Sequence, residues 1–297
     1  MREPADGWLE RDGISLHYLE WAADPEAQPA PAVLLLHGLS SNAHYWDRVA
    51  RRLPGRRLIA LDQRGHGLTG RPPRAPRVPE GFAMEQLVAD AELVIERLDL
   101  ERPVIAAHSW GATVGLELAA HLGDGASALV FIDGPVQSAA NLFSWEDAQH
   151  YMQPPLPRYS TFAQALEDGR RDFDGAWGED LEPFVMSKLM QEGTGFVLTL
   201  TAPVRLELLR GLYESPVDQL WTMLPIPASA LLARQGPAAI MSRREGGARM
   251  LAEVAPHVDV RWFDTPHDIP LFKPEAIAEE IARLSESEAP AAQELQQ

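Results

Sequence analysis

Short apolar runs alternate with helix-like segments along the first half of the chain. "PAVLLLHG", "RRLIALD", "PVIAA" and "ASALVFID" are continuous apolar runs typical of strands that are buried on both faces, and "GISLHYLEWA" alternates as a half-buried strand does. Helical patterns lie between them, in "SSNAHYWDRVARRL", "MEQLVADAELVIERLDL" and the segment from Trp110 to about Leu122. This alternation predicts an α/β fold, with a mostly parallel central sheet flanked by helices on both faces.

The pattern changes after Gly134. From there to about Met223, aromatic residues and helix-like segments such as "TFAQALEDGRRDF" appear without convincing buried strands. Strand patterns return in "IPASALLAR" and "VDVRWFD", and "PEAIAEEIARL" predicts a closing helix. We therefore predict a core made of residues 1–134 and 224–285, interrupted by a mostly helical insertion at 135–223. Residues 286–297 are polar and are expected to form a disordered tail.

Charge and composition exclude several classes of partner. The formal net charge of −17 opposes binding to nucleic acid or to anionic membrane surfaces. The absence of cysteine excludes disulfides, thiolate zinc sites and cysteine nucleophiles. The N-terminal sequence lacks an apolar signal core, and no window approaches the roughly 20 apolar residues that a membrane-spanning helix needs. These features predict a cytoplasmic protein without nucleic-acid or membrane partners, and they leave its oligomeric state open.

One serine stands where a predicted strand meets a predicted helix. In "VIAAHSWGATVGLELAAHL" this residue is Ser109, and the positions two before and two after it are Ala107 and Gly111. A sharp turn that strains its central residue requires small side chains at these positions, and it would lift the hydroxyl to the N-terminus of the helix. Ser109 is thus either a nucleophile or a simple helix cap, since the pattern glycine-x-serine-x-glycine begins here with alanine.

The chain resembles the α/β-hydrolase fold family over nearly its whole length. The matching segments are "LLLHGLSSNAHYW", "LIALDQRGHGLTGRP", "AAHSWGA" and "FDTPHDIP". The resemblance implies an α/β-hydrolase fold with a helical cap inserted after the strand that ends near Asp133. It also implies a serine hydrolase, in which Ser109 is the nucleophile and the backbone N–H groups of Leu39 and Trp110 form an oxyanion hole.

The resemblance assigns the general base to His267, the histidine in the loop after the last predicted strand. It places His37 and His66 in loop motifs, where we expect them to hold the loops by hydrogen bonds, and His108 directly precedes the serine. We expect the other histidines to be surface or loop residues: His17, His44, His121, His150 and His257. No pair has the spacing of a helix-borne zinc site, so we predict neither a metal nor a cofactor.

The acid of the triad departs from the commonest family pattern. Most members carry it after the strand that corresponds to "ASALLAR", but Ala239 stands there in this chain. A second family arrangement places the acid one strand earlier, which is Asp133 in "FIDGP". Glu245 is the alternative, while Asp264 and Asp268 are expected to be loop or cap residues. Asp133 has a structural interpretation as well, as a strand-end residue that holds the following turn.

These residues predict an esterase that acts on a small, partly hydrophobic substrate. In the epoxide hydrolases and haloalkane dehalogenases of the family the nucleophile is aspartate, so Ser109 argues against those two activities. The same triad in relatives cleaves lactones, thioesters, carbon–carbon bonds and N-terminal proline amides, so a lactonase, a carbon–carbon bond hydrolase and a proline aminopeptidase remain alternatives. From another class, the chain could be a catalytically inactive small-molecule binder with a hydrolase fold.

Overall fold

The computed structural model describes residues 3–70, 79–152 and 155–286. All but the first residue of the expected disordered tail therefore lies outside the described residues. The first part of the core contains strands β1 Ala5–Arg11, β2 Ile14–Trp21, β3 Val33–Leu36, β4 Leu58–Leu61, β5 Val104–His108 and β6 Ala128–Ile132. Its helices are α1 Asp47–Ala50, α2 Met84–Arg97 and α3 Trp110–Leu122.

A long insertion follows β6. Its helices are α4 Trp145–Met152, α5 Phe162–Asp172, α6 Glu182–Met186, α7 Ala202–Glu214 and α8 Val217–Met223. It also contains an antiparallel sheet of β7 Arg158–Tyr159, β8 Leu189–Glu192 and β9 Gly195–Leu198, in the order β7-β9-β8. The sequence pattern did not predict this sheet, because its strands are only two to four residues long and are exposed or half-buried. Such strands lack the continuous apolar run that marks a buried strand.

The second part of the core closes the chain. It contains β10 Ala228–Ala233, α9 Ala238–Val254, β11 Val258–Phe263, α10 Ile269–Phe272 and α11 Pro274–Ser285. Helix α11 carries a buried face, including Ile277 and Ile281, and lies against the sheet. Among the residues described, no helix has the length and hydrophobicity that a bilayer span requires.

The eight core strands form one sheet in the order β1-β2-β4-β3-β5-β6-β10-β11. Strands β1 and β2 pair in antiparallel fashion, as do β2 and β4, and every later neighbouring pair is parallel. The prediction of a mostly parallel sheet flanked by helices is therefore confirmed. Because the parallel strands point the same way, the loops after β3, β5, β6, β10 and β11 gather at one edge of the sheet.

Both faces of the central strands are buried. On one face, alternate strand residues pack with α2, α3 and α8, and they include Leu34, Leu36, Ile105, Ala107, Leu129 and Phe131. On the other face, the intervening residues pack with α1 and α11, and they include Val33, Leu35, Val104, Ala106, Ala128 and Val130. Burial on two sides removes water from the backbone hydrogen bonds, and it gives the loops at the sheet edge a rigid support.

Candidate active site

A sharp turn at Ser109 connects β5 to α3. Ser109 has φ 57° and ψ −124°, a left-handed conformation that is strained for a residue with a side chain. The turn closes because its neighbours are small. A Cβ on Gly111 would lie 2.2 Å from the carbonyl oxygen of His37, and one on Gly38 would lie 3.0 Å from Ser109 Cβ. The Ser109 N–H donates to the carbonyl oxygen of Ile132 at 2.8 Å, which ties the turn to β6.

The structure brings Ser109, His267 and Asp133 together in one hydrogen-bonded row. His267 Nε2 lies 2.8 Å from Ser109 Oγ, and His267 Nδ1 lies 2.6 Å from Asp133 Oδ2. A carboxylate can only accept, so Nδ1 carries the proton of that bond and Nε2 is free to accept the Ser109 hydroxyl proton. The three residues follow β5, β6 and β11, whose carboxyl ends share one edge of the sheet.

Asp133 is buried and fully partnered. Its Oδ1 accepts the N–H of Ala233 at 2.9 Å, and its Oδ2 is paired with both His267 and Arg244. Burial acts to raise the pKa of Asp133. The hydrogen bond and charge of His267 and the charge of Arg244 outweigh burial, so the pKa lies below its ordinary value. Asp133 therefore stays ionised at neutral pH.

His267 lies in the loop between β11 and α10, with its imidazole partly exposed. Burial acts to lower the pKa of His267, but the hydrogen bond and the charge of Asp133 outweigh it and raise the pKa above its ordinary value. This environment stabilises the imidazolium ion that forms when the ring takes a proton. A histidine with one nitrogen fixed by a carboxylate and the other facing a hydroxyl is arranged as a general base.

Two backbone N–H groups flank Ser109. Trp110 is the first residue of α3, and the N–H groups in the first turn of a helix have no acceptor within the helix. Leu39 follows Gly38 in the turn after β3, and the close approach of Gly38 to Ser109 places this turn beside the serine. N–H groups of helix N-termini and tight turns favour an adjacent negative charge.

Histidine side chains hold the loops around the serine. His37 Nδ1 donates to the carbonyl oxygen of Gly38 at 2.8 Å, and its Nε2 accepts the N–H of Gln63 at 3.1 Å. His66 Nε2 accepts the N–H of Ser40 at 3.1 Å. Burial lowers the pKa of His66 to about 3, with the charge of His37 acting in the same direction, so this ring is neutral. These bonds agree with the loop-holding role expected from the sequence.

His108 and Tyr45 form a set of contacts next to His267. His108 Nε2 donates to the carbonyl oxygen of His267 at 3.1 Å, and the two rings lie with centroids 4.7 Å apart. Tyr45 stacks on His108 and donates its hydroxyl to Asp268 Oδ1 at 3.1 Å. Burial, helped by the charge of His267, lowers the pKa of His108 to about 3. No sequence pattern indicated these contacts, because they join the end of β5 to residues that follow β3 and β11.

The alternative acid lies elsewhere. Glu245 is an exposed residue of α9, and Ala239 lies in the first turn of that helix. The residue of this region that does reach the site is Arg244, through its pair with Asp133. The sequence-based prediction missed Arg244, because the segment after β10 was interpreted as a turn that carries a carboxylate in most relatives, whereas it forms helix α9.

One of the five remaining histidines is not on the surface. His17 is only 2% exposed and is paired with Asp62, so the expectation for this residue was wrong. Strand β2 lies between β1 and β4, and Trp8 packs on the His17 ring at a centroid distance of 4.6 Å. His121, His150 and His257 are exposed. Within residues 3–70, 79–152 and 155–286, no three histidine, aspartate or glutamate side chains are grouped as metal ligands.

Known proteins share both the sequence pattern and the fold. A family profile for the alpha/beta hydrolase fold matches residues 31–166. The chain is similar to the non-heme chloroperoxidase of Burkholderia pyrrocinia, with 31% identity over 168 residues that cover 55% of each chain, about half of that relative. It is also similar to epoxide hydrolase B of Mycobacterium tuberculosis (strain ATCC 25618 / H37Rv), with 25% identity over 84% of this chain and 67% of the relative.

Solved structures extend the likeness over nearly the whole chain. The thioesterase domain from the curacin biosynthetic pathway superposes with a TM-score of 0.76 at 19% identity, covering 94% of this chain and 99% of that one. At this identity the likeness shows the fold. Together with the match of residues 31–166 to the family profile, it leads to one conclusion: the chain has the α/β-hydrolase fold.

Proposed function

We propose that the protein is a serine hydrolase that cleaves a carboxylic ester, or a related acyl bond, of a small and partly hydrophobic substrate. The observation that carries the proposal is the hydrogen-bonded row of Ser109, His267 and Asp133 at the edge of the sheet. A strained serine, a histidine and a buried carboxylate in this arrangement constitute an activated nucleophile. Neither a metal nor a cofactor has a role in this mechanism.

The reaction begins when Ser109 Oγ attacks the carbonyl carbon of the substrate. His267 Nε2 takes the hydroxyl proton, and Asp133 stabilises the imidazolium ion that results. The N–H groups of Leu39 and Trp110 donate to the oxyanion of the tetrahedral intermediate. His267 then gives the proton to the departing alkoxide, which leaves an acyl group on Ser109. Water, deprotonated by His267, attacks this acyl-enzyme, and the bond between the acyl carbon and Ser109 Oγ breaks. His267 returns its proton to Ser109 Oγ as the acid leaves.

The nucleophile distinguishes this reaction from the epoxide hydrolysis named for one relative. Opening an epoxide with a carboxylate gives an ester that water can hydrolyse, whereas opening it with the Ser109 hydroxyl would give an ether that water cannot cleave. The position of a hydroxyl at the turn therefore supports acyl transfer over epoxide hydrolysis. The thioesterase domain shares the fold and is named for acyl chemistry, which fits the same proposal.

The insertion serves in this proposal as a cap, residues 135–223. Helix α7 lies over the loops that carry the site: Trp110 Nε1 donates to the carbonyl oxygen of Leu208 at 3.3 Å, and Arg205 donates to Ser40 Oγ at 2.8 Å. The aromatic content of the insertion, including Phe143, Trp145 and Trp177, favours a substrate with a hydrophobic part, and the rings of Trp145 and Trp177 also pack within the insertion itself. We propose a small-molecule substrate and a cytoplasmic location, with no nucleic-acid or membrane partner.

The first test is the hydrolysis of 4-nitrophenyl butyrate at neutral pH. Ser109→Ala is expected to lower kcat by at least about 10³-fold, because the nucleophile is lost while the fold is kept. Ser144→Ala, which alters an exposed serine of the insertion, serves as the matched control with wild-type turnover. Turnover that survives in folded Ser109→Ala contradicts the proposal. If the wild-type protein does not hydrolyse this ester, lactones, carbon–carbon substrates and N-terminal proline amides are tested next, followed by non-catalytic ligand binding.

A further inference from the structure

The chain has 26 lysines and arginines, and only two of them, Lys188 and Lys273, are lysines. Lys273 is exposed between α10 and α11. Lys188 lies between α6 and β8, with its ammonium 3.9 Å from the ring centroid of Phe184 and 5.6 Å from that of Phe173. No described carboxylate lies within ion-pair distance of it. A positive charge thus rests on two aromatic faces without an anion beside it.

Contacts of Phe184 place Lys188 beside the candidate active site. Phe184 packs on Tyr45 with ring centroids 5.6 Å apart, and Tyr45 stacks on His108, the residue before Ser109. The carbonyl oxygen of Phe184 accepts the side-chain N–H of Asn42 at 2.8 Å, which ties this part of the insertion to the loop after β3.

Electrostatic effects agree with this placement. Burial lowers the pKa of Lys188 to about 8, although the charges of Asp268 and Asp172 act to raise it. The charge of Lys188 in turn acts to lower the pKa of His37. His37 follows β3 and Asp268 follows His267, so the ammonium acts on both loops that border Ser109.

Arg205 supplies a second positive charge from the insertion. It lies on α7 and donates through Nη1 to Ser40 Oγ at 2.8 Å. Ser40 directly follows Leu39, the proposed oxyanion-hole residue. Burial lowers the pKa of Arg205 below its ordinary value, but a guanidinium remains charged at neutral pH. Both cations therefore come from the insertion: Arg205 contacts the loop after β3, and the charge of Lys188 acts on His37 and Asp268.

We propose that the substrate carries a carboxylate, which Lys188 and Arg205 bind while the ester carbonyl lies against Ser109. This inference rests on the proposed function and specifies its substrate class as an anionic ester. A chain with a net charge of −17 repels anions at long range, so an anionic substrate needs local positive charge inside the site. Arginine and lysine together bind a carboxylate by charge-assisted hydrogen bonds.

The test compares matched ester pairs. Mono-4-nitrophenyl adipate and 4-nitrophenyl hexanoate have acyl chains of equal length and differ in a terminal carboxylate. 4-Acetoxybenzoate and phenyl acetate differ in a carboxylate on the leaving group. We expect the wild-type protein to prefer the charged member of one pair by about tenfold or more in kcat/KM. The pair that shows the preference identifies which part of the substrate carries the charge.

Lys188→Met and Arg205→Gln are each expected to lower that preference by about tenfold. Lys188→Arg keeps the positive charge and should retain part of the preference for the charged ester. This variant separates the loss of charge from the loss of packing. Lys273→Met removes the only other lysine and is the matched control, with the wild-type preference. The inference is overturned if the wild-type protein shows no preference in either pair, or if Lys188→Met and Arg205→Gln both keep it.

Binding to the Ser109→Ala variant separates this inference from the proposed function. Isothermal titration with the same esters measures recognition without turnover. Tighter binding of a charged ester, lost on adding Lys188→Met, supports the carboxylate site even if the wild-type protein hydrolyses neither ester. Equal binding of charged and neutral esters overturns the carboxylate site, whatever the outcome of the hydrolysis assay.

Discussion

The molecule contains two aspartate–histidine pairs of nearly equal geometry. Asp133 Oδ2 lies 2.6 Å from His267 Nδ1, and Asp62 Oδ2 lies 2.7 Å from His17 Nδ1. At both sites burial disfavours the charged carboxylate and the charged imidazolium. The pairing outweighs burial, so each carboxyl pKa is lowered and each imidazole pKa is raised. The two pairs differ in what the second nitrogen of the ring faces.

His267 Nε2 faces the hydroxyl of Ser109 at 2.8 Å, a group that has a proton to give. His17 Nε2 instead faces the carboxylate of Asp6 at 2.9 Å, so both nitrogens of this ring meet carboxylates and donate to them. The His267 ring can accept a proton from Ser109, whereas the His17 ring donates from both nitrogens and has no nitrogen free to accept one. An aspartate–histidine pair therefore becomes a base only where its free nitrogen faces a nucleophile.

The carboxylates also differ in their other partners. Asp133 is paired with Arg244, while Asp62 accepts the backbone N–H groups of Ala43 and Leu68 at 2.7 and 2.8 Å. Asp62 thus joins the loop after β3 to the loop after β4. On this account, loss of Asp133 reduces the rate of reaction and loss of Asp62 reduces the stability of the fold.

The largest expected effect is that of Asp133→Asn on turnover. The amide no longer stabilises the imidazolium ion or fixes the tautomer of His267, so kcat should fall by about 10⁴-fold. The wild-type kcat/KM should rise with pH through the raised pKa of His267, above 6.5. In Asp133→Asn this inflection should move down, because burial, the largest influence on the pKa of His267, and the charge of Arg244 are then opposed only by the charge of Asp268.

The matched control for this prediction is Asp264→Asn, which changes an exposed carboxylate near the same loop. Asp264→Asn should keep the wild-type kcat and the wild-type pH inflection of kcat/KM. An Asp133→Asn variant that folds and retains its kcat within about tenfold of the wild-type value, a barrier change of only about 1.4 kcal/mol, would show that the pair does not activate Ser109.

Asp62→Asn is expected to lower the free energy of unfolding by about 3 kcal/mol, because it breaks a buried ion pair. Asp6→Asn removes the exposed partner of the same histidine and should cost less than about 1 kcal/mol. Denaturant unfolding of both variants measures the difference. Equal losses in the two variants would contradict the account of Asp62 as the anchor between loops.

A smaller effect follows from the raised pKa of His17. Such a group stabilises the fold fully below its unfolded pKa of about 6.5, and this contribution is lost as the pH rises through the folded pKa. His267 acts in the same direction. The denaturation midpoint should thus fall on going from slightly acidic to alkaline pH, and His17→Asn should flatten part of this slope. His121→Gln, a change at an exposed histidine, is the control, and an unchanged slope in His17→Asn would refute the argument.

Glu245→Gln is expected to have the smallest effect, with kcat and the unfolding midpoint both unchanged. Glu245 is exposed on α9, while its neighbour Arg244 contacts Asp133. The ester assay used for Asp133→Asn checks this prediction directly. A loss of activity in Glu245→Gln comparable to that in Asp133→Asn would restore Glu245 as the acid.

The resemblance to a known family, rather than the strand patterns alone, assigned His267 and Asp133 to the site. The topology explains why these residues and Ser109 lie close together. Each follows an apolar run, and the carboxyl ends of parallel strands meet at one edge of the sheet. The turn at Ser109 was predicted from the residues themselves, because the positions two before and two after it are small.

Contacts that depend on side-chain reach were not predictable. Arg244 extends from helix α9 to Asp133. Tyr45 contacts both His108, at the end of β5, and Asp268, in the loop after β11. No regular spacing in the sequence relates these residues to one another. His17 was misplaced for a related reason. Its strand has an alternating pattern, but the neighbouring strands and Trp8 bury its second face as well.

Labelling with a fluorophosphonate tests the activation of Ser109 most directly, since it needs no knowledge of the substrate. One covalent adduct per chain is expected in the intact mass, located on Ser109 by peptide mapping. The adduct should be absent in Ser109→Ala, and it should form much more slowly in Asp133→Asn. Folded wild-type protein that forms no adduct, or that carries it on another residue, would contradict the claim that Ser109 is the activated nucleophile.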